Sequence, residues 1–221
     1  MFSKFSISAL AAVAFAGVVA CDKGASSDGA AAAVQAPADI SSAAVVYTAD
    51  PAASRVGWKG SKLYELDEHT GTIDLKSGQL GFTDGKPVAG TFVIDMNSIK
   101  NSDITNAEYN AKLVGHLKND DFFSVDTYPT AEFAIVSVKP GQGEGQYLVT
   151  GNLTIKGKTR EVTAPATIAA DDNGAKASAE FEFDRTQFDV RYGSESVFTD
   201  LAQDKVIDDK IEIVLDVALN K

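Results

Sequence analysis

The stretch GHLKNDDFFSVDTYPTAEF, residues 115–133, concentrates residue types that acid–base chemistry uses. It holds His116, one of two histidines in the chain, with Asp120 and Asp121 close behind it. A histidine near carboxylates is a candidate general base, but that role also needs a nucleophile or bound water and a tuned pKa. On the apolar face of a short helix, His116 is better explained as a packed residue that hydrogen-bonds a neighbouring carbonyl. His69, which leads a strand, has the same structural interpretation.

Other catalytic and metal-binding motifs are incomplete. A zinc site would need both histidines and a carboxylate to meet in space, with no cysteine ligand available. GSES at 193–196 lacks the second glycine of a nucleophile elbow, and no glycine-rich phosphate loop precedes a Lys-Ser or Lys-Thr pair. Arg185 and Arg191 flank TQFDV, where an internal ion pair with Asp184, Asp189 or another carboxylate is preferred over a head-group contact. We therefore predict no catalytic residue, no metal and no cofactor.

The elements that must position these residues alternate with a period of two. QYLVTGNLTIKG places four apolar side chains on one face, and TREVTAPATIA resumes the alternation after a Gly-containing turn, as in a β-hairpin. The apolar face of the first run holds Tyr147, Val149, Leu153 and Ile155. The same period recurs in residues 90–96, 131–138, 179–185 and 210–219. Roughly eight to ten such strands favour an antiparallel barrel or sandwich, and a barrel leaves no exposed sheet edge.

One segment departs from this period. NAEYNAKLVGHL has helical spacing, with Asn106 placed to cap its start. The residues of its apolar face are Tyr109, Leu113, His116 and Leu117. A single helix of this length could cover one end of a barrel. Phe122 and Phe123 are then predicted to plug or gate that end, and the nearby acids Asp120, Asp121 and Asp126 to act as turn and cap residues.

The N-terminus reads as a targeting segment. A short positive start and an uncharged apolar run lead to Val18-Val19-Ala20-Cys21, which resembles a bacterial lipobox. We predict that residues 1–20 are a lipoprotein signal peptide and that Cys21, the one cysteine of the chain, is acylated and anchors the protein to a membrane. The alternative is an ordinary signal peptide with an incidental cysteine. Asp22 resembles an inner-membrane retention signal, but the choice between inner and outer membrane stays open.

The rest of the chain divides into a linker and one domain. Residues 21–44 contain no aromatic residue and no repeated apolar face, so they are predicted to form a flexible tether. Residues 45–221 amount to one domain. The formal net charge is −11, and removal of the signal would take away one lysine and no acid. Such a surface repels nucleic acid, so no nucleic-acid partner is expected. Because of the lipoprotein-type signal, the predicted location is the cell envelope, facing the periplasm.

Several motifs occur together in residues 45–221. HLKNDDFFSVDTYPTAEF and the hairpin GNLTIKGKTREV are accompanied by SRVGWKG, HTGTIDLKSGQL, GTFVIDMNSI and FEFDRTQFDVRYG. Together they resemble the YceI-like family of polyisoprenoid-binding proteins. The resemblance implies an all-β fold, an extended eight-stranded antiparallel lipocalin-like β-barrel with one short helix capping an end. It also implies a long isoprenoid ligand in an apolar interior, either a prenyl phosphate or a prenylquinone, held for transport, storage or sequestration. The family includes dimers, so a homodimer is a further expectation.

The side-chain pattern alone permits two kinds of interior. Small inward residues (Gly151, Ala164, Ala179) opposite large aromatics fit both a tunnel and a packed core, and the pattern by itself favours the packed core. The resemblance reverses that preference. The predicted ligand-binding residues are Trp58, Phe92, Ile94, Phe122, Phe133, Leu153, Ile155, Phe181 and Phe183. Candidate head-group donors are Lys59, Lys62, Lys156, Lys158, Arg160 and Arg185. Two other functions stay open, namely an envelope enzyme or redox partner acting on a quinone or prenyl phosphate, and a structural module with a filled core.

Overall fold

The computed structural model describes residues 34–65 and 67–221, so the predicted signal peptide and Cys21 lie outside the described residues. The described part contains nine strands: β1 Val45–Ala49, β2 Arg55–Ser61, β3 Glu68–Thr83, β4 Lys86–Asn101, β5 Thr130–Pro140, β6 Gln146–Ile155, β7 Lys158–Ala170, β8 Gly174–Asp184 and β9 Lys210–Asn220. One α-helix, α1 Ala107–Lys118, connects β4 to β5. Short 3₁₀ turns occur at Ile40–Ser42, Arg185–Phe188 and Gln203–Lys205.

Antiparallel pairing closes these strands into a barrel. From β2 to β9, each strand pairs with the next one along the chain. Strand β9 then pairs with β2, which closes the ring. Strand β1 also pairs with β3 and β9, so β1 and β2 lie one after the other in a single strand position between β3 and β9. The nine strands therefore fill eight positions around the ring. The predicted all-β, eight-stranded antiparallel barrel with one short helix is confirmed.

Two-residue turns set the register of the hairpins. Lys156 and Gly157 join β6 to β7 with φ of 50° and 68°, and Asp84 and Gly85 join β3 to β4 with φ of 50° and 72°. Positive φ at both central residues matches the twist of a tight hairpin, and a glycine accepts it without a steric penalty. The turn therefore keeps β6 in register with β7, with the apolar face of each strand toward the interior.

Helix α1 begins where Asn106 accepts hydrogen bonds from the backbone N–H groups of Glu108 and Tyr109, at 3.0 and 3.1 Å. The predicted cap is confirmed. Leu117 near the end of the helix is buried, and Asn110 in its first half donates to the Asn101 carbonyl of β4 at 3.1 Å, whereas Tyr109 is 62% exposed. The predicted inward position of Tyr109 is therefore wrong, because its side chain faces solvent whereas that of the next residue, Asn110, faces β4. No helix among the described residues combines the length and apolarity needed to span a membrane.

Residues 34–44 lie along the outer wall of the barrel, and we call this segment the N-terminal strap. Asn152, an outward-facing side chain of β6, donates to the Gln35 carbonyl at 2.7 Å, and the Ala38 N–H donates to the Ile135 carbonyl at 2.8 Å. Further along, Ala44 N–H donates to Thr83 at the end of the barrel remote from α1. Residues 34–44 were predicted to be part of the flexible linker, and for them the structure corrects that prediction.

The strap also covers a break in the wall. The β4–β5 ladder joins Thr91–Asp95 to Thr130–Ala134, and the next carbonyl of β5, that of Ile135, is bonded to the strap instead. Because a buried carbonyl without a partner is costly, the strap completes the hydrogen bonding where the two strands separate. It runs from the half of the barrel nearer α1, at Asn152, to the opposite end at Thr83.

We expect Asn152→Ala to loosen the strap. The substitution removes the donor to Gln35 and should lower the free energy of unfolding by about 1 kcal/mol. Hydrogen exchange measured on peptides that cover residues 34–44 should become faster, including at the Ala38 amide. Leu148→Ala is the control, because Leu148 is an exposed outward residue on the same strand, 43% accessible. Unchanged exchange in the strap would contradict its assignment as a docked element.

Candidate binding cavity

A cavity of about 390 Å³ occupies the interior of the barrel. Near the end remote from α1 it is lined by buried aliphatic side chains such as Leu80, Ile168 and Val217. Near α1 its lining includes aromatic side chains such as Trp58 and Phe183. The interior is therefore hollow, and the filled core that the side-chain pattern by itself favoured is contradicted.

The nine residues predicted to bind ligand all line this cavity: Trp58, Phe92, Ile94, Phe122, Phe133, Leu153, Ile155, Phe181 and Phe183. They come from β2, β4, β5, β6, β8 and the segment after α1. Phe92 and Phe133 are directly paired across β4 and β5, which places the two residues next to each other on the inner wall. The structure thus brings the whole set together around one space, and contact with a ligand stays a prediction.

Three of the large rings lie against glycines of a neighbouring strand: Trp58 against Gly71, Phe92 against Gly78 and Phe133 against Gly151. A Cβ atom added to these glycines would lie 2.6 Å from Trp58 Cε2, 3.0 Å from Phe92 Cε1 and 2.6 Å from Phe133 Cε2. The missing side chains therefore provide the space that the rings occupy along the wall. Cross-strand packing of this kind stabilises the sheet and keeps bulky groups out of the centre of the barrel.

An aromatic cluster lies at the α1 end of the cavity. Phe122 is 7% exposed, and its ring centroid is 4.9 Å from that of His116 in an edge-on arrangement. Tyr192, from the segment between β8 and β9, packs against both rings, with centroid distances of 4.7 Å to His116 and 5.4 Å to Phe122. Phe123 also lines the cavity, so both phenylalanines lie at the barrel end where a plug was predicted.

Each histidine is joined to a carboxylate. His116 Nε2 lies 3.0 Å from Asp121 Oδ2, a carboxylate in the turn that follows α1. The partner of His116 is therefore not the neighbouring carbonyl that was predicted. His69 Nδ1 lies 2.8 Å from Asp103 Oδ2. Burial raises the pKa of Asp103, but hydrogen bonds from His69, Thr70 and Asn101 outweigh burial, so that pKa lies below its ordinary value. No cluster of three or more potential metal ligands occurs in the described part of the chain.

Arg185 is 1% exposed and organises the irregular segment between β8 and β9. Its guanidinium donates to the carbonyls of Asp208, Val190, Tyr192 and Ile207 at 2.9 to 3.0 Å. Nη2 also lies 3.3 Å from Asp209 Oδ1, which is close enough for ion pairing but lacks the alignment of a hydrogen bond. Burial lowers the pKa of Arg185, opposed mainly by Asp209. The preferred internal ion pair is therefore present for Arg185, with Asp209 as partner. Arg191 pairs with the predicted Asp189 at 3.0 Å, but on the exposed surface.

A polar rim, which we define as Ser61, Lys62, Asp67, His69 and Tyr192, lines the cavity at the α1 end. Lys62 Nζ lies 2.6 Å from Glu65 Oε2 and 3.5 Å from Asp67 Oδ2. The hydrogen bond with Glu65 is the main reason why the pKa of Lys62 is raised. Apart from Lys62, the rim residues were not predicted as site residues, because most of them lie outside the regularly alternating runs.

The remaining predicted head-group donors are not among the residues that line the cavity: Lys59, Lys156, Lys158 and Arg160. Lys59 pairs with Glu212 at 2.7 Å, and Lys156 donates to the carbonyls of Asp120 and Asp189, both at 3.1 Å. Arg160 donates to the carbonyl of the preceding residue at 2.8 Å. The structure therefore places them in roles on the outer surface and in turns.

The motifs and the barrel agree with a known family. The model of the YceI-like domain matches residues 47–219, which is most of the chain. The chain belongs to the YceI-like family. A UPF0312 protein of Pseudomonas putida strain F1 is 34% identical over 112 residues, which cover 51% of this chain and 55% of the relative. A relative from Photorhabdus laumondii is 32% identical over 94 residues, 39% of this chain and 48% of its own. The chain thus spans about half the length of the curated relatives that it matches.

Solved structures show the same YceI-like barrel. BcnA of Burkholderia cenocepacia is 27% identical, with a TM-score of 0.58 over 77% of this chain and 98% of BcnA. A polyisoprenoid binding domain from Saccharophagus degradans is 16% identical, with a TM-score of 0.55 over 79% of this chain and 97% of that domain. At this low identity, the second similarity concerns the fold alone.

We predict that a larger residue at a glycine of the barrel wall reduces the space in the cavity. In Gly78→Ala the added methyl group meets side chains only, so the ring of Phe92 has to move toward the interior. We expect stability to fall by about 1–3 kcal/mol and an apolar fluorescent probe to bind more weakly. Gly57→Ala is the matched control, because a Cβ there has its nearest neighbours at 3.6 and 3.8 Å. Urea titration and probe titration measure the two effects. Equal probe affinity in both variants would show that the ring does not define the cavity.

Proposed function

We propose that this YceI-like protein binds one long-chain isoprenoid lipid in its barrel, for transport, storage or sequestration in the cell envelope. The observation that carries the proposal is the apolar cavity of about 390 Å³, which extends along the strands from the rim to Val217. This size lies within the range of about 300–1,000 Å³ that is usual for small-molecule sites. Each buried methylene contributes about 0.8 kcal/mol, so a long hydrocarbon tail supplies its own driving force.

The ligand class is supported by two further considerations. The related barrel from Saccharophagus degradans is described as a polyisoprenoid binding domain. We extend that class to this chain because its cavity has the apolar lining that such a tail requires. Prenyl phosphates and prenylquinones share the tail and differ in the head group, which would lie at the polar rim.

The geometry supports binding better than catalysis. His69 and His116 are the strongest candidates for a general base, and each has a carboxylate on one ring nitrogen, but among the described residues neither is hydrogen-bonded to a nucleophilic side chain. Arg185 is held by carbonyl groups of its own segment. A lipid bound in the cavity would meet mainly hydrocarbon, which holds a tail without activating it.

Membrane attachment through acylated Cys21 is part of the proposal. The strap would orient the anchored barrel, since it carries the chain from the start of β1, at the end remote from α1, toward the half of the barrel that holds the rim. Exposed apolar side chains also lie in the loops beside the rim, among them Tyr64 and Phe198. A rim that faces the membrane would allow a lipid to pass between bilayer and cavity.

Extraction of the native protein tests the ligand. Organic extraction followed by mass spectrometry should recover an isoprenoid lipid from the wild type, and little or none from Leu153→Asp, because a carboxylate in the cavity is costly beside a hydrocarbon tail. Leu148→Asp, on the outer face of the same strand, should retain the lipid. Circular dichroism verifies that each variant is folded. A folded Leu153→Asp protein that carries as much lipid as the wild type would rule out the cavity as the binding site.

Replacement of the cysteine tests the anchor separately. In Cys21→Ser we expect the protein to move from the membrane fraction to the soluble fraction and to lose incorporation of labelled palmitate. Ser26→Ala, a small change in the same stretch, should alter neither. If the wild-type protein takes up no label, Cys21 is not acylated and the anchor proposal is wrong.

A further inference from the structure

We infer that the cavity accepts isoprenoids with an uncharged head group, such as an alcohol or a quinone, in preference to the corresponding phosphates. The inference rests on the proposed function and concerns the charges at the rim. The hydrocarbon tail makes the same contacts in both ligand classes, so any discrimination arises where the head group meets the rim.

The one lysine of the rim is already matched by acids. Lys62 lies between Glu65 and Asp67, at 2.6 and 3.5 Å. A phosphate that captured this ammonium would have to displace one carboxylate and remain close to the other. Like charges at such distances repel, so two carboxylates around a single ammonium leave an unfavourable site for a further anion.

The other basic groups at this end of the cavity are engaged as well. His69 and His116 are each hydrogen-bonded to an aspartate. The guanidinium of Arg185 points four donors at backbone carbonyls, so binding a phosphate would break those bonds and leave buried carbonyls without partners. The Lys62 ammonium and the Arg185 guanidinium are therefore not free to replace the water that a phosphate loses, and each histidine offers at most the one ring nitrogen that does not face its aspartate.

Neutral groups at the rim suit an uncharged head group. Ser61 and Tyr192 carry hydroxyls and line the cavity. A hydroxyl donates to the carbonyl of a quinone and accepts from an alcohol, so it can satisfy either ligand without a charge. Tyr192 is 45% exposed, which leaves the head group in contact with water at the mouth of the cavity.

Solvent limits the size of the effect. The side chains of Lys62, Glu65 and Asp67 are 33%, 40% and 48% exposed, so water screens part of the repulsion. We therefore expect a preference of about tenfold, and not complete exclusion of the phosphate.

Competition between two ligands with one tail tests the inference. Geranylgeraniol and geranylgeranyl phosphate are titrated against an apolar fluorescent probe bound to the delipidated full-length protein. Geranylgeraniol should displace the probe at a concentration about tenfold lower than the phosphate does. Equal or tighter binding of the phosphate would overturn the inference and leave isoprenoid binding intact. Failure of both ligands to bind would remove the proposed function, and the inference with it.

A charge-release variant tests the cause. Glu65→Gln combined with Asp67→Asn frees Lys62, and it should improve binding of the phosphate by about tenfold while binding of the alcohol changes little. Asp74→Asn combined with Glu182→Gln is the matched control, because it removes the same charge from outward ion pairs with Lys100 and Lys210. An equal gain in both double variants would assign the effect to net charge and overturn the role of the rim.

Discussion

A closed sheet of eight strand positions encloses a space that side chains are able to fill completely. In this barrel the largest rings do not fill it, because they are packed against positions where the neighbouring strand carries glycine. Trp58 and Phe92 lie on either side of β3 over Gly71 and Gly78. The rings contribute apolar surface to the cavity while their bulk remains in the wall. A binding function depends on this arrangement, since larger side chains at the glycines would drive the rings inward.

A second constraint acts where the strands end or separate. Buried backbone carbonyls need hydrogen-bond partners, and regular pairing does not supply them at these places. At the α1 end, Arg185 donates to four carbonyls of the segment between β8 and β9. On the side wall, the strap supplies the donor to Ile135. Groups that could be taken for ligand contacts are thus committed to holding irregular backbone in place.

In the proposed function, the apolar lining and the rim of the cavity contact different parts of the ligand. The apolar lining favours a hydrocarbon tail by area alone and sets few demands on its exact conformation. In the proposed function, the α1 end of the cavity sets the electrostatic conditions for the head group, because Lys62 and His69 of the rim and the neighbouring His116 all have acidic partners. The strap adds a connection between the N-terminal segment and the half of the barrel that holds the rim. The proposed tail binding and the inferred head-group preference therefore depend on different parts of one cavity.

Alternation in the sequence was sufficient to predict the strands, their inward faces and eight of the nine cavity-lining residues, because successive side chains of a strand point to opposite faces whatever the tertiary structure. The ninth, Phe122, follows α1 and was predicted from its position after the helix. Periodicity carries no information about irregular segments. The strap was missed because it is held by contacts between residues far apart in the chain, such as that of Gln35 with Asn152, 117 residues away. Asp209 was not predicted as the partner of Arg185, because their contact also depends on the tertiary structure. Tertiary structure also decided whether the interior was hollow or packed, since the same inward residues allow both. The space that remains depends on the spacing of the strands and on the direction in which each ring points.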